Sequence, residues 1–408
     1  MKVRRPSTAR GISDERDVPS GRVTSALRAL DDWRPGGPNA LRPQAQVLDL
    51  FSGCGGMSLG FAAMGQHDGA FRMVGGIDIN PVSLATYHRN FGVPALQRDV
   101  RELAFERGAL RRMVRELPDF DDDQPLVLIG CAPCQGFSAH AKKRWSTGPD
   151  NRNDLVRAFA EVASALSPVC VVMENVPELV TGRYKHHFSS FREAMVSAGY
   201  RVKWEIHNAA SFGVPQARMR SLVVAVRSDE FRMPEPWLEP TDYRTVRQAI
   251  GNLPPVEAGR VHSSDELHRS AGHRPSTLDV IRAVPHDGGS RPKGVGPSCL
   301  DQVKGFSDVY GRLFWDRPAI TLTHYARNPA SGRYTHPEQD RGLTMREAAR
   351  LQSFPDAFQF EGKFDDVFRQ IGEAVPPLLS IAVAQAVADN LGQLGHPVQL
   401  DGPKVRAL

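Results

Sequence analysis

Between residues 46 and 226, short runs rich in valine, isoleucine and leucine alternate with stretches of helical spacing. The runs are QVLDLF (46–51), MVGGIDI (73–79), PLVLIG (125–130), VCVVMEN (169–175) and SLVVAV (221–226). Each is too short for a stable helix and too continuously apolar for a strand with one wet face. Each therefore reads as a strand buried on both sides. NPVSLATYHRNF (80–91) and DLVRAFAEVASAL (154–166) supply helical periodicity between them. Strands that alternate with helices connect in parallel, and the helices cover both faces. The fold class expected is α/β, with a mostly parallel, doubly wound sheet.

The alternation stops near residue 227. Residues 227–340 are rich in Gly, Pro and Arg and hold six of the 13 histidines, with few long periodic segments. Periodicity returns at LTMREAARLQSF (343–354), where Thr344 is placed to cap a helix and Glu347 to complete a capping box. The apolar helical stretch PPLLSIAVAQAVADNLGQL (376–394) follows. The organisation expected is a flexible basic extension (1–45) with one short helix over SALRALDDW, an α/β domain (46–226), and an irregular second domain (227–340). C-terminal helices (341–395) then return to the first domain, and a tail (396–408) ends the chain.

Charge matters here through its distribution. The net charge is +5, yet residues 1–45 carry nine Lys/Arg against five Asp/Glu, and residues 269–333 carry ten against five. A basic, loop-rich insert suits phosphate contact, and it equally suits a solvated surface. No apolar run approaches membrane-spanning length, and no apolar stretch follows the basic N-terminus, so a cytoplasmic protein is expected. The five cysteines (54, 131, 134, 170 and 299) are odd in number and scattered, which points to reduced thiols. With no second Cys-x-x-Cys, and no close pair with further Cys ligands among the six histidines of 227–340, no metal is expected. Cys54, Cys131, Cys170 and Cys299 read as packing residues.

Three segments carry residues suited to chemistry. In VLDLFSGCGGMSLGF, Gly53, Gly55 and Gly56 follow a strand and precede a helix, so the backbone can turn sharply and approach a ligand. Asp78 ends the next strand and suits ribose hydroxyls, while Asp99 in LQRDV suits an adenine amino group. That spacing does not separate a nicotinamide cofactor from S-adenosylmethionine. LVLIGCAPCQGFSAH (126–140) brings Cys134 to the carboxyl edge of the sheet, VCVVMEN brings Glu174 and Asn175, and GVPQARMRSLVVAV (213–226) brings Arg218 and Arg220. A thiol, a carboxylate and two guanidiniums can thus meet in one crevice.

In order, DLFSGCGG, PCQGFS, ENVP, QARMR, LTMREAARLQSFPD and QIGEAVPP resemble the motif set of the cytosine carbon-5 DNA methyltransferases, over about residues 46–390. The resemblance implies a Rossmann-like class I methyltransferase domain with a smaller target-recognition domain at 227–340. It implies S-adenosylmethionine held by the first turn (Phe51, Gly53, Cys54, Gly55 and Gly56) and by Asp78 with Ile79. Asp99 with Val100, Pro133, Asn175, and Glu373 with Ala374 complete that set. It makes Cys134 the nucleophile that attacks carbon 6 of cytosine, so that carbon 5 gains enamine character. Glu174 would need to carry a proton to serve ring nitrogen 3, Arg218 would steady the ring carbonyl, and Arg220 would help hold the site.

A base inside a duplex is out of reach, so the target must be rotated out. Gln135, Ser138, Lys142, Lys143 and Arg144 fall in a loop that resembles the family's mobile loop over DNA. In YGRLFWDRPAITLTHYARN (310–328), RPAITLT reads as a strand, with Arg312, Thr323, Tyr325 and Arg327 as candidates for base or phosphate contact. The partner expected is double-stranded DNA, with a restriction enzyme or defence complex left open and a monomer assumed. Departures from the pattern are Glu373 where Asn is usual, Met219 between the arginines, and Ile79 where a larger side chain often meets adenine. Rival readings are a tRNA methyltransferase of the same family, a catalytically silent DNA-binding relative, and a nicotinamide oxidoreductase.

Overall fold

The five strands expected between residues 46 and 226 all form, and the computed structural model, which describes residues 21–40, 43–133, 154–182, 184–228, 230–302 and 308–393, adds two more to the same sheet. The strands are β1 (Ala45–Leu50), β2 (Phe71–Asp78), β3 (Ala95–Gln97), β4 (Leu126–Gly130), β5 (Cys170–Asn175), β6 (Arg201–Asn208) and β7 (Met219–Val226). Their order is β3-β2-β1-β4-β5-β7-β6. β1 to β5 pair in parallel, and β7 runs antiparallel to both β5 and β6. The chain winds outward from β1 in one direction through β2 and β3, then in the other through β4 and β5. A crevice therefore opens at the carboxyl ends of β1 and β4, where ligands bind in such sheets.

Successive residues of each strand face opposite sides, and both sides are covered. Val47, Val127, Ile129, Val172 and Val224 join one apolar core, while Leu48, Leu128, Val171, Met173 and Val223 join another. This is why the runs are apolar throughout. The strand β6 departs from that pattern: Val202, Trp204 and Ile206 alternate with Arg201, Lys203 and Glu205 on the sheet edge, and Trp204 is 42% exposed.

Three helices cover the first face. Gly56–Asp68 follows β1, and Pro377–Asn390 lies along it so closely that a Cβ at Gly60 would come within 2.5 Å of Ile381 N. The third, Gly21–Asp32, buries Val23, Ala26, Ala29 and Leu30, and Trp33 beyond it is 1% exposed. The expectation of a flexible extension up to residue 45 is thus corrected over residues 21–40, because apolar residues at helical spacing have a core to join. Residues 1–20 and 394–408 lie outside the described residues.

Phe364–Asn390 is long and apolar enough to cross a membrane by composition, which amends the expectation that no run approaches that length. It comprises two helices, Phe364–Glu373 and Pro377–Asn390, and 78% of its apolar window is buried inside the protein. It is core-forming. The capping box at Thr344 forms as expected, with Glu347 N donating to Thr344 Oγ1 at 3.1 Å and Thr344 N to Glu347 Oε2 at 2.8 Å.

Within residues 227–340 the regular elements are short: helices Val246–Ile250, Pro275–Arg282 and Cys299–Gln302, and a ribbon of β8 (Val261–His262) and β9 (Asp265–Arg269). RPAITLT forms no strand. It makes a single bridge, Ala319 to Gln216.

Candidate active site

The first turn is built by steric need. Phe51, Gly53 and Gly55 take positive φ angles of 55°, 52° and 94°. A Cβ at Gly55 would lie 2.2 Å from the Phe91 ring, and one at Gly56 would lie 2.4 Å from Val375 O. Side chains at these two positions are therefore excluded from both flanks. Asp78 at the end of β2 secures the turn: Oδ2 accepts from Gly53 N at 2.9 Å and Oδ1 from Asn80 N at 2.8 Å. Ile79 beside it is 64% exposed, an apolar side chain presented to solvent at the crevice.

Other residues of the cofactor set lie deeper. Cys54 is 3% exposed, and burial pushes its thiol up to about 12. Val100, 2% exposed, offers only its backbone. Asp99 caps Val100–Phe105 and is bonded by Arg101 Nε to both oxygens, which holds its carboxyl below the usual range. Ala374 packs under Gly56, whereas Glu373 is exposed.

Beneath the turn stands Asp49, which sequence reasoning missed. It is 1% exposed, and its Oδ2 accepts from Ser58 Oγ at 2.6 Å. Ser58 in turn meets Tyr87 OH at 3.0 Å. Burial raises Asp49 to about 8, against the Ser58 hydrogen bond and with the help of the Asp78 charge. It is thus largely protonated at neutral pH. The signal was present in VLDLF: an acid in the middle of a buried strand is costly unless neutralised or bonded.

At the end of β5, Glu174 is 7% exposed and its Oε1 lies 2.8 Å from Arg220 Nε. That approach is not aligned for a hydrogen bond, and among the described residues Oε1 accepts none. A buried carboxylate oxygen with an unused acceptor position suits a donor on a ligand. Asn175 positions the neighbouring segment. Its Nδ2 donates to Ala132 O at 3.0 Å, and its Oδ1 accepts from Val176 N at 2.9 Å. The carboxyl end of β5 is thereby tied to the residues just before Pro133. Cys131, partly buried, contacts Met57 Sδ at 3.7 Å. Cys299 is exposed, so its reading as a packing residue is corrected.

Cys134, Gln135, Ser138, Lys142, Lys143 and Arg144 lie outside the described residues.

Two arginines are not where their expected roles require. Arg218 is 3% exposed and donates to Leu322 O, Gly372 O and Ala374 O. The arginine beside the Glu174 carboxylate is Arg220. Arg312 is fully buried. It donates to Val284 O, Ile281 O, His336 O and Gln339 O and pairs with Asp340 at 2.5 Å. This is a structural arginine, and its candidacy for DNA contact is corrected. Thr323 is half-buried, Tyr325 is 55% exposed, and Arg327, half-buried, pairs with Asp365 at 3.3 Å. These three stay at the surface, beside the last motif: a Cβ at Gly372 would lie 2.3 Å from His324 N.

Comparison with known proteins agrees with this architecture. The family model described as C-5 cytosine-specific DNA methylase matches residues 45–391. Type II methyltransferase M1.HphI of Haemophilus parahaemolyticus is 37% identical, over 83% of this chain and 86% of that protein. Type II methylase M.HgiDII of Herpetosiphon aurantiacus is 34% identical, over 84% of this chain and 94% of that protein. Among solved structures, a putative DNA modification methyltransferase encoded within an Escherichia coli prophage is 25% identical with a TM-score of 0.59. That match covers 85% of this chain and 99% of that one.

Proposed function

The chain belongs to the C-5 cytosine-specific DNA methylase family, and we propose that it methylates carbon 5 of a cytosine rotated out of duplex DNA through a covalent adduct at Cys134. The observation that carries this reading is Glu174. It is buried, among the described residues it has an unused acceptor oxygen beside Arg220, and its strand end is tied by Asn175 to the segment leading into Cys134.

The methyl donor is S-adenosylmethionine, which supplies an electrophilic methyl group on a sulfonium. The residues present fit it. The turn Gly53–Gly56 leaves backbone room for the ligand. Asp78 keeps acceptor capacity for ribose hydroxyls after its two backbone bonds, and Ile79 offers an exposed apolar face to adenine.

On the substrate side, the Cys134 thiolate adds to carbon 6. In its protonated form Glu174 donates to ring nitrogen 3, where negative charge builds, its other oxygen accepts from the amino group on carbon 4, and Arg220 orients the carboxyl. Once carbon 5 has taken the methyl group, loss of the carbon-5 proton to a base expels the Cys134 thiolate. Residues 227–340 act as the recognition domain. Thr323, Tyr325 and Arg327 face DNA from the surface next to the last motif, and Gln135, Ser138, Lys142, Lys143 and Arg144 are further candidates for DNA contact. The type II relatives support a restriction-modification setting.

The test is transfer of tritium from methyl-labelled S-adenosylmethionine to unmethylated bacterial DNA and, separately, to tRNA. Label in DNA and not in tRNA is the expected result. On DNA containing 5-fluorocytosine, where the carbon-5 proton cannot be eliminated, the wild-type protein should form a denaturant-resistant adduct and Cys134→Ser none. Label in tRNA alone, or an adduct with Cys134→Ser, would refute the reading.

A further inference from the structure

Arg218 joins three stretches of chain that are far apart in sequence. Its Nη1 donates to Leu322 O at 2.9 Å, and its Nη2 donates to Gly372 O and Ala374 O at 3.2 Å each. Two residues earlier, Gln216 is fully buried and reaches the same places. Its Oε1 accepts from Leu322 N at 2.9 Å, and its Nε2 donates to Leu351 O and to Gln352 Oε1. Gln352 Nε2 then donates to Ala374 O at 2.7 Å. Leu322 is thus gripped at both its backbone N–H and its carbonyl, and the Ala374 carbonyl is held from two sides.

Each gripped point borders a different half of the site. Leu322 directly precedes Thr323, Tyr325 and Arg327. Gly372 abuts Thr323 and His324, and Ala374 with Val375 abuts Gly56 in the first turn, with no room for a Cβ at either contact. Close-packed contacts of this kind pass on a displacement rather than absorb it. Resting on the reading above, we propose that Arg218 is a positioning residue that couples DNA engagement by the 322–327 segment to cofactor engagement at the Gly53–Gly56 turn. A planar guanidinium can serve three carbonyls from fixed directions. A lysine keeps the charge but loses that fork.

The experiment is binding of S-adenosylhomocysteine, which cannot react, to the full chain by calorimetry, with and without saturating sheared unmethylated bacterial DNA. For wild type, DNA should tighten binding by about fivefold or more, and the ligand should tighten DNA binding by the same factor. In Arg218→Lys that ratio should fall close to one, while affinity without DNA changes by less than about threefold, since Gln352 still holds the Ala374 carbonyl. If Arg218→Lys lacks a cooperative thermal transition, Gln352→Met serves instead, since it removes one of the two holds on Ala374, and the ratio should fall partway. Ligand binding with no DNA effect in wild type, or a wild-type ratio in the variants, would overturn the inference alone. No ligand binding by wild type would overturn the cofactor reading and the inference with it.

Discussion

Arg312 and Arg220 show how little a side chain's charge says about its task. Both are arginines in stretches that invite a nucleic-acid role. Arg312 is fully buried against four carbonyls and Asp340, so it holds the recognition domain together from inside. Arg312→Ala should cost about 3 kcal/mol or more in urea unfolding, since four buried carbonyls lose their donor at about 1–3 kcal/mol each. The salt dependence of DNA binding by the folded fraction should stay unchanged, because no phosphate contact is lost. A shallower salt slope with unchanged stability would return Arg312 to the DNA interface.

At this scale the sequence was readable where a motif fixed the residue type and its place at a strand end, as for Glu174, Asn175 and Asp78. It was unreadable where the deciding fact was burial. Gln216 and Gln352 are polar residues whose partners come from remote segments, and nothing local marks them; Asp49 was marked only by being an acid inside an apolar strand.

Among elements, the helix Met345–Leu351 gives a pH dependence whose sign can be worked out. Its capping residue Glu347 is 1% exposed. Burial alone would raise its carboxyl, but Arg341, bonded to both oxygens, outweighs that and brings it down to about 2. His336 nearby is lowered to about 4 by burial, partly offset by Glu347. Both folded values lie below the unfolded ones, so the unfolded chain takes up protons first as the medium is acidified. The Glu347 contribution is complete above about 4.5 and is lost as pH falls toward 2. The His336 contribution is lost between about 6.5 and 4. The urea midpoint should therefore fall between pH 7 and 4, and His336→Gln should flatten the part between 6.5 and 4. An unchanged slope in that variant would contradict the assignment.

The capping box itself was legible from Thr344 and Glu347 at their spacing, but the Arg341 and His336 partners were not. Likewise β1, β2, β4, β5 and β7 were legible as continuous apolar runs. β6 was not, since an edge strand with alternating Arg201, Lys203 and Glu205 lacks that pattern.

For the whole molecule, alternation of strand and helix was enough to give a doubly wound sheet. The reversal of β7 and the reach of the N-terminal helix depend on packing between distant segments. That helix lies before residue 45, where the family match begins, yet it is part of the core. Trp33 sits with ring centroids 6.0 Å from Phe91 and 5.9 Å from Phe358, and Val23 fills the space over Gly213. Trp33→Ala should cost about 3–5 kcal/mol of stability, as for other large buried aromatics. A loss below about 1 kcal/mol would mean the helix is only laid on the surface.

Whether this chain marks cytosine in DNA by way of Cys134 can be read from a methylome. Wild type and Cys134→Ser would each be expressed in a host without cytosine methylation, and 5-methylcytosine mapped at base resolution. The expected result is one short recurring sequence, methylated with wild type and unmodified with the variant. No mark from soluble wild-type protein, or the same mark from both, would contradict it.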